Sequence, residues 1–165
     1  MKNYADFYAK LTSYFRKYPV AARLLQVINS LLTKVMYLVY PILLGYLFFT
    51  TPQKLIGFIL IPGISFVLVS LVRKWLNVPR PYEAWAIRPL ISKDTKGQSL
   101  PSRHVFSATI ISMAVLQVNS FLGIIFLLLS LVLACCRVIG GVHYPRDVIV
   151  GYIVGVVCGL LLIFI

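Results

Sequence analysis

Long apolar stretches bounded by charged residues dominate the chain. They cover residues 35–53, 55–72, 105–136 and 148–165. With its flanking residues, each stretch supplies spans of about 20 residues, the length that a helix needs to cross the hydrocarbon core of a bilayer. The pattern therefore predicts a polytopic membrane protein.

The stretch 105–136 is too long for one span. At 1.5 Å per residue it would measure about 48 Å, against a core of about 30 Å. The polar pair Asn119 and Ser120, with Gly123 close behind, divides it into two helices. We therefore predict an all-α bundle with five crossings, near residues 28–49, 54–74, 104–118, 121–138 and 146–165.

The first residues have a different pattern. Large apolar side chains fall at helical spacing, and basic residues lie among them, without the continuous apolar core of a cleaved signal peptide. We expect an amphipathic helix in the membrane interface near residues 3–17, with a disordered basic tail as the alternative. The chain is then one membrane-embedded domain, 1–165, with an interfacial helix and linker over 1–27 and a transmembrane core over 28–165.

Composition supports a membrane location and an anionic partner. The mean hydropathy is +0.91, and 16 basic residues against 4 acidic ones give a net charge of +12. The basic residues are scattered over the loops between spans, so nucleic acid is not an expected partner. An anionic lipid or a phosphorylated substrate is expected instead. The three cysteines lie in predicted spans and are interpreted as small packing residues.

Five alternating crossings place four polar chain segments on the same membrane face. Ionisable residues at the ends of membrane helices are costly unless they snorkel, pair or function, and the opposite face receives only Lys54. The segments are the end of the second span (Arg73, Lys74), the start of the third (Ser102, Arg103, His104), the end of the fourth (Arg137) and the start of the fifth (His143, Asp147).

These residue types suit an anion site. Arg80 lies between two prolines that stiffen its backbone, and its guanidinium offers a planar fork to phosphate or carboxylate. Ser102 is a candidate N-cap, which would point the positive end of the third span at the same place, with His104 in its first turn. His143 and Asp147 are four residues apart, so the carboxylate can orient the imidazole.

Phosphoryl transfer needs these parts: cations and N–H groups for the phosphate oxygens, a nucleophile, and an acid for the leaving oxygen. The four acidic residues do not cluster as ligands for divalent ions, and two histidines make an incomplete zinc site. We therefore expect neither a metal nor a cofactor.

Three motifs make the sequence similar to the type 2 phosphatidic acid phosphatase superfamily, membrane lipid phosphatases related to vanadium haloperoxidases. The family patterns are K-x6-R-P, P-S-G-H and S-R-x5-H-x3-D. This chain has Arg73-x6-Arg80-Pro81, Pro101-Ser102-Arg103-His104 and Cys136-Arg137-x5-His143-x3-Asp147, within residues 54–165. Arginine stands in the first lysine position with Lys74 beside it, Arg103 replaces a glycine, and Cys136 replaces a serine. Family members commonly have six spans, so five to six are expected.

The resemblance implies a role for each residue. His143 would attack phosphorus to form a phosphohistidine, Asp147 would orient it, and His104 would protonate the leaving oxygen and later activate water. The phosphate would be held without a metal by Arg73 or Lys74, Arg80, Ser102, Arg103 through its backbone, and Arg137.

The substrate implied is a lipid phosphate or diphosphate, with undecaprenyl diphosphate and phosphatidylglycerophosphate as the leading candidates. A lipid phosphotransferase and a non-catalytic phospholipid-binding protein are the alternatives. The loop over residues 82–100 is expected to shape headgroup choice. The basic residues favour a cytoplasmic site by the positive-inside rule, whereas bacterial relatives usually place it outside; we expect an extracytoplasmic site in a bacterial cell membrane.

Overall fold

The computed structural model describes residues 3–165, and within that range the regular structure is entirely helical. The all-α prediction is confirmed. The helices are α1 (Tyr4–Lys17), α2 (Pro19–Thr50), α3 (Pro52–Leu76), α4 (Pro81–Ala84), α5 (Arg103–Val118), α6 (Ser120–Ile139) and α7 (Pro145–Leu160), and α7 continues into a 3₁₀ turn, Leu161–Phe164.

Local sequence signals set most of the helix boundaries. Four helices begin with proline, whose missing N–H costs nothing in the first turn. The predicted break in the stretch 105–136 lies at Asn119, which ends α5 and caps α6 by accepting from the N–H of Leu122 at 2.9 Å. Asn77 ends α3 in the left-handed conformation, with φ of 40°.

Within residues 3–165, four helices are long and apolar enough to cross a membrane: α2, α3, α6, and α7 with its 3₁₀ turn. The fifth predicted span, α5, has 16 residues and is about 24 Å long. It lies at the centre of the bundle, where most of its side chains are buried against α6 and α7. The interfacial helix expected near residues 3–17 is α1.

The first span differs from its predicted bounds. It begins at Pro19, not near residue 28, so nearly all of the expected linker is helical. At 32 residues α2 is about 48 Å long, so it extends beyond a hydrocarbon core of about 30 Å. The sequence pattern missed this part because Arg23 and Gln26 interrupt its apolar character.

Three glycines let α7 approach α5 closely. Gly151, Gly155 and Gly159 are four residues apart, so they lie along one side of α7. A Cβ at Gly151 would stand 2.7 Å from the carbonyl oxygen of Ser102, which is closer than real Cβ atoms come. This close approach brings the start of α7 against the start of α5.

Candidate active site

A cavity of about 320 Å³ lies where α3 and α5 meet the loop between α4 and α5. Five of its lining residues are basic and none is acidic, so the cavity suits an anion. The lining residues are Arg73, Arg80, Lys93, Thr95, Lys96, Gly97, Gln98, Arg103 and His104.

Arg73, at the cation position of the first motif, lines the cavity. The residue is 5% exposed, and its guanidinium donates through Nη1 to the carbonyl oxygen of Pro101. Lys74, the alternative, is exposed on the outer side of α3 and does not line the cavity. Of the two candidate cations, Arg73 therefore lines the cavity and Lys74 does not, because adjacent residues of a helix point their side chains in different directions.

Arg80 connects the cavity to the loop that carries His143. Its Nε donates to the carbonyl oxygen of Gly97 at 3.0 Å, and its Nη1 donates to that of Val142 at 3.1 Å. The side chain is 3% exposed. A guanidinium has five N–H donors, so these two bonds fix its plane and leave donors for an anion.

Glu83 accepts a hydrogen bond from the backbone of Arg80. The sequence did not predict it as a site residue. Its carboxylate accepts from the N–H of Arg80 at 3.1 Å and from the N–H of Gly97 at 2.8 Å. It therefore joins the turn at Arg80 to the cavity wall. The local signal was present: proline in the first position of a helix and glutamate in the third is a helix-start pattern.

Ser102 and His104 begin α5 as predicted. Ser102 occupies the N-cap, but its hydroxyl makes no capping bond and is buried without a partner among the described residues. Its backbone N–H donates to the carbonyl oxygen of Asp147 at 2.8 Å. An unpaired buried hydroxyl is costly, so an anion bound here would complete its hydrogen bonding.

Arg103, in place of the family's glycine, packs its side chain against Phe66. The guanidinium lies over the ring of Phe66, 5.4 Å from the centroid, and still reaches the cavity wall. The aromatic face stabilises the cation.

His143 and Asp147 meet as their spacing predicts. Nδ1 of His143 lies 3.7 Å from Oδ2 of Asp147. The same oxygen accepts from the Tyr144 N–H at 3.0 Å and from the hydroxyl of Ser99 at 2.5 Å. That hydroxyl also lies 3.5 Å from Nδ1 of His143. Because Nδ1 faces Asp147 and Ser99, Nε2 is the nitrogen left for chemistry.

His143 is 1% exposed and lies behind the cavity wall, next to the Val142 carbonyl that Arg80 binds. Burial lowers the pKa of His143 below its ordinary value, and Arg137 and Arg80 lower it further, against the opposing effect of Asp147. The ring is therefore neutral near pH 7. A neutral imidazole is the form that can act as a nucleophile or base.

Arg137 lies in the last turn of α6, and two nitrogens of its guanidinium group have no hydrogen-bond partner among the described residues. The side chain is 3% exposed, and Nη1 lies 3.4 Å from Oδ1 of Asn29 on α2. Its Nε and Nη2 are buried without partners among residues 3–165. The neighbouring Cys136 is buried but does not line the cavity. Unpaired guanidinium donors in this position point to an anionic ligand.

Lys93 is a cavity residue that the sequence placed only in the headgroup loop. It is half-buried, and burial together with Arg137, Arg80, Arg73 and Arg103 lowers its pKa to about 7. No acidic side chain pairs with it in the described part of the chain. No local sequence signal marks Lys93, because only the fold places it among the arginines.

Solved structures resemble this fold over nearly its full length. The crystal structure of Aquifex aeolicus LpxE is 23% identical, with 97% of this chain and 94% of that chain covered and a TM-score of 0.76. The phosphatidylglycerolphosphate phosphatase of Bacillus subtilis, described as a transmembrane PAP2 type enzyme, is 19% identical, with 96% and 91% covered and a TM-score of 0.64. No curated protein sequence matches the chain.

The family model described as the PAP2 superfamily matches residues 54–165. That range contains all three motifs and all of the residues that line the cavity. The match spans more than half of the chain, and the motif-based prediction is thereby confirmed: the chain belongs to the PAP2 superfamily.

Proposed function

We propose that the chain removes phosphate from a membrane lipid phosphate or diphosphate without a metal, through a phosphohistidine at His143. The observation that carries this proposal is a buried, neutral imidazole oriented by Asp147 behind a cavity lined by cations. Such a cavity balances phosphate charge, and the oriented imidazole supplies the nucleophile.

In the first step, Nε2 of His143 forms a bond to phosphorus as the bond from phosphorus to the lipid oxygen breaks. His104, in its protonated form, gives its proton to that oxygen. Asp147 accepts from the Nδ1–H of the imidazole and stabilises the positive charge that develops there. Arg73, Arg80 and Arg137, with the Ser102 hydroxyl and the backbone N–H of Arg103, hold the phosphate oxygens.

In the second step, His104 accepts a proton from a water molecule, whose oxygen attacks phosphorus. The N–P bond breaks, which restores His143 and releases inorganic phosphate. Transfer to a lipid hydroxyl in place of water would use the same groups and would make the chain a phosphotransferase.

For the substrate, we propose undecaprenyl diphosphate or phosphatidylglycerophosphate, on the extracytoplasmic face of a bacterial cell membrane. The apolar helices keep the lipid tail beside the cavity, and the cavity accepts a headgroup of high negative charge. The similar Bacillus subtilis protein is a phosphatidylglycerolphosphate phosphatase, which supports one of the two candidates.

A phosphate-release assay on purified protein in detergent tests the proposal. The panel contains isoprenoid diphosphates, phosphatidylglycerophosphate and phosphatidate, each with and without EDTA. We expect release that is insensitive to EDTA and that His143→Ala or His104→Ala reduces by at least about a thousandfold. Full activity in either variant would contradict the mechanism, and label recovered in a second lipid would indicate phosphotransfer.

A further inference from the structure

The N-terminal helix α1 turns one face into the protein. Tyr4, Tyr8 and Thr12 lie on this face at intervals of four residues, and none is more than 1% exposed. A helix that only lies in the membrane interface directs its apolar side into the lipid. The burial of two tyrosines therefore shows that α1 makes specific contacts with the rest of the chain.

The hydroxyl of Tyr8 joins two segments that flank the His143 loop. It donates to the carbonyl oxygen of Ile139, the last residue of α6, at 3.1 Å, and accepts from the N–H of Leu90 at 3.3 Å. The next residue, Ile91, donates through its N–H to the carbonyl oxygen of Gly140 at 3.1 Å. Tyr8 thus links the end of α6 to the segment that pairs with the His143 loop.

The same side chain covers Gly141, two residues before His143. Gly141 has φ of +76°, a conformation that favours glycine. A Cβ there would stand 2.6 Å from the hydroxyl oxygen of Tyr8 and 3.1 Å from Cα of Pro89. The loop is therefore tightly packed against Tyr8 and Pro89 at Gly141.

Two further hydrogen bonds hold the segment that Tyr8 contacts. Nη2 of Arg16 donates to the carbonyl oxygen of Arg88 at 2.6 Å, and Nε2 of Gln26 donates to that of Leu90 at 2.6 Å. The N-terminal part of the chain therefore fixes residues 88–90 at three points, counting Tyr8.

Tyr4 contacts the other end of the same loop, but only through its ring. Its ring meets that of Tyr144 edge-on, with centroids 4.9 Å apart. Its hydroxyl is buried without a hydrogen-bond partner in the described range 3–165. Of the two tyrosines of α1, only Tyr8 therefore has a hydroxyl that bonds to the backbone around His143.

We propose that Tyr8 is a positioning residue for His143, acting through the hydrogen bonds of its hydroxyl to Ile139 and Leu90. These bonds fix the backbone that leads to His143 in the conformation in which its imidazole meets Asp147. A displacement of about 1 Å at a reacting group can cost about a hundredfold in rate, so this support affects the chemical step. The inference rests on the proposed function, because it takes His143 as the nucleophile.

Tyr8 lies outside the part of the chain that the family model matches. The family model matches residues 54–165, whereas α1 ends at Lys17. A part of the chain outside the family pattern therefore supports the residue on which the family chemistry depends.

Tyr8→Phe tests the proposal, with Tyr4→Phe as the matched control. Both variants keep the ring and lose one buried hydroxyl. We expect Tyr8→Phe to lower kcat about tenfold, as loss of these hydrogen bonds implies, with KM within about twofold of the wild type. Tyr4→Phe should keep the wild-type kcat, because the hydroxyl that it removes has no partner.

Labelling with diethyl pyrocarbonate supplies a second measurement that does not need activity. Mass spectrometry of the peptides reports the labelling of His143, with His104 in the cavity as the internal reference. We expect His143 to react several times faster in Tyr8→Phe than in the wild type or in Tyr4→Phe, because a loosened loop exposes the ring.

Wild-type kcat and wild-type labelling of His143 in Tyr8→Phe would overturn the proposal. Equal losses in both variants would also overturn it, since they would indicate a packing role for the aromatic face as a whole. If the wild-type protein releases no phosphate from any lipid, the proposed function fails, and the labelling experiment still decides whether Tyr8 positions His143.

Discussion

The hydroxyl of Ser99 donates a hydrogen bond of 2.5 Å to Oδ2 of Asp147, a residue 48 positions away in the chain. Both side chains are fully buried. The hydroxyl also lies 3.5 Å from Nδ1 of His143. Ser99, His143 and Asp147 therefore form a group of three side chains that meet at one oxygen of the Asp147 carboxylate. Ser99 lies just before the second motif, outside all three family patterns.

Ser99→Ala should therefore lower kcat. A hydrogen bond to a charged group contributes about 1.5–3 kcal/mol, which corresponds to a loss of about tenfold to a hundredfold if the bond orients His143 in the transition state. Phosphate release from the best lipid of the panel measures the effect. The control is Ser70→Ala, which removes an exposed hydroxyl that bonds only within α3; a comparable loss in both variants would contradict a specific role for Ser99.

Arg73→Ala and Lys74→Ala should separate two adjacent cations. Arg73 is buried in the cavity wall, whereas Lys74 is exposed on the outer side of α3. Loss of a charge that contacts the transferring phosphoryl group costs roughly a hundredfold or more in kcat/KM, whereas an exposed lysine at a helix end contributes little. Steady-state kinetics distinguish the two, and a larger effect at Lys74 would show that the cavity is not where phosphate binds.

Lys93 should make substrate binding sensitive to pH above neutrality. Its pKa, lowered by burial and the neighbouring arginines to about 7, means that the free protein carries this charge below pH 7 and loses it as the pH rises. We expect KM to rise between pH 7 and 9, where the substrate is already fully ionised because the second phosphate pKa is about 6.

Lys93→Arg is the control for this dependence. Arginine keeps its charge over the whole range, so the rise in KM should be much smaller in this variant. Lys93→Gln should have a high KM at every pH. A KM that rises equally in the wild type and in Lys93→Arg would assign the effect to another group.

The close approach of α7 to α5 should be sensitive to one added methyl group. A Cβ at Gly155 would stand 2.7 Å from Cβ of Thr109 and 3.0 Å from the carbonyl oxygen of Phe106. Gly155→Ala should destabilise the protein by about 1–3 kcal/mol through overpacking, which lowers Tm in detergent. Gly45→Ala is the matched control, since a Cβ at Gly45 on α2 meets nothing within 4 Å. This control should leave Tm unchanged or raise it.

The sequence predicted the structure best where the residues that determine a helix or its end lie close together in the chain. Apolar length and the break at Asn119 gave the long helices and most of their bounds. The start of α2 was missed because polar residues of its first turns resemble a linker, although tertiary contacts such as that of Gln26 with Leu90 stabilise the helix there.

The residues of the candidate site were likewise predictable only where their partners lie close by in the chain. His143 and Asp147 could be paired from the sequence because four residues across a helix start fix their separation. Arg73 and Lys74 could not be separated, because the choice depends on which side of α3 packs against α5. Ser99, Lys93 and Tyr8 were missed as site residues because their partners lie far away in the chain, at Asp147, the arginines and Ile139.

The sequence by itself therefore determined the membrane-spanning helices, the three motifs and the reaction class that they imply, since each depends on residues close together in the chain. Only the tertiary structure decided which cation enters the cavity, which hydroxyl completes the Asp147 group and which helix supports the His143 loop. The physical reason is that burial and hydrogen bonding between distant segments depend on how the helices pack, and no local pattern of residues records that packing.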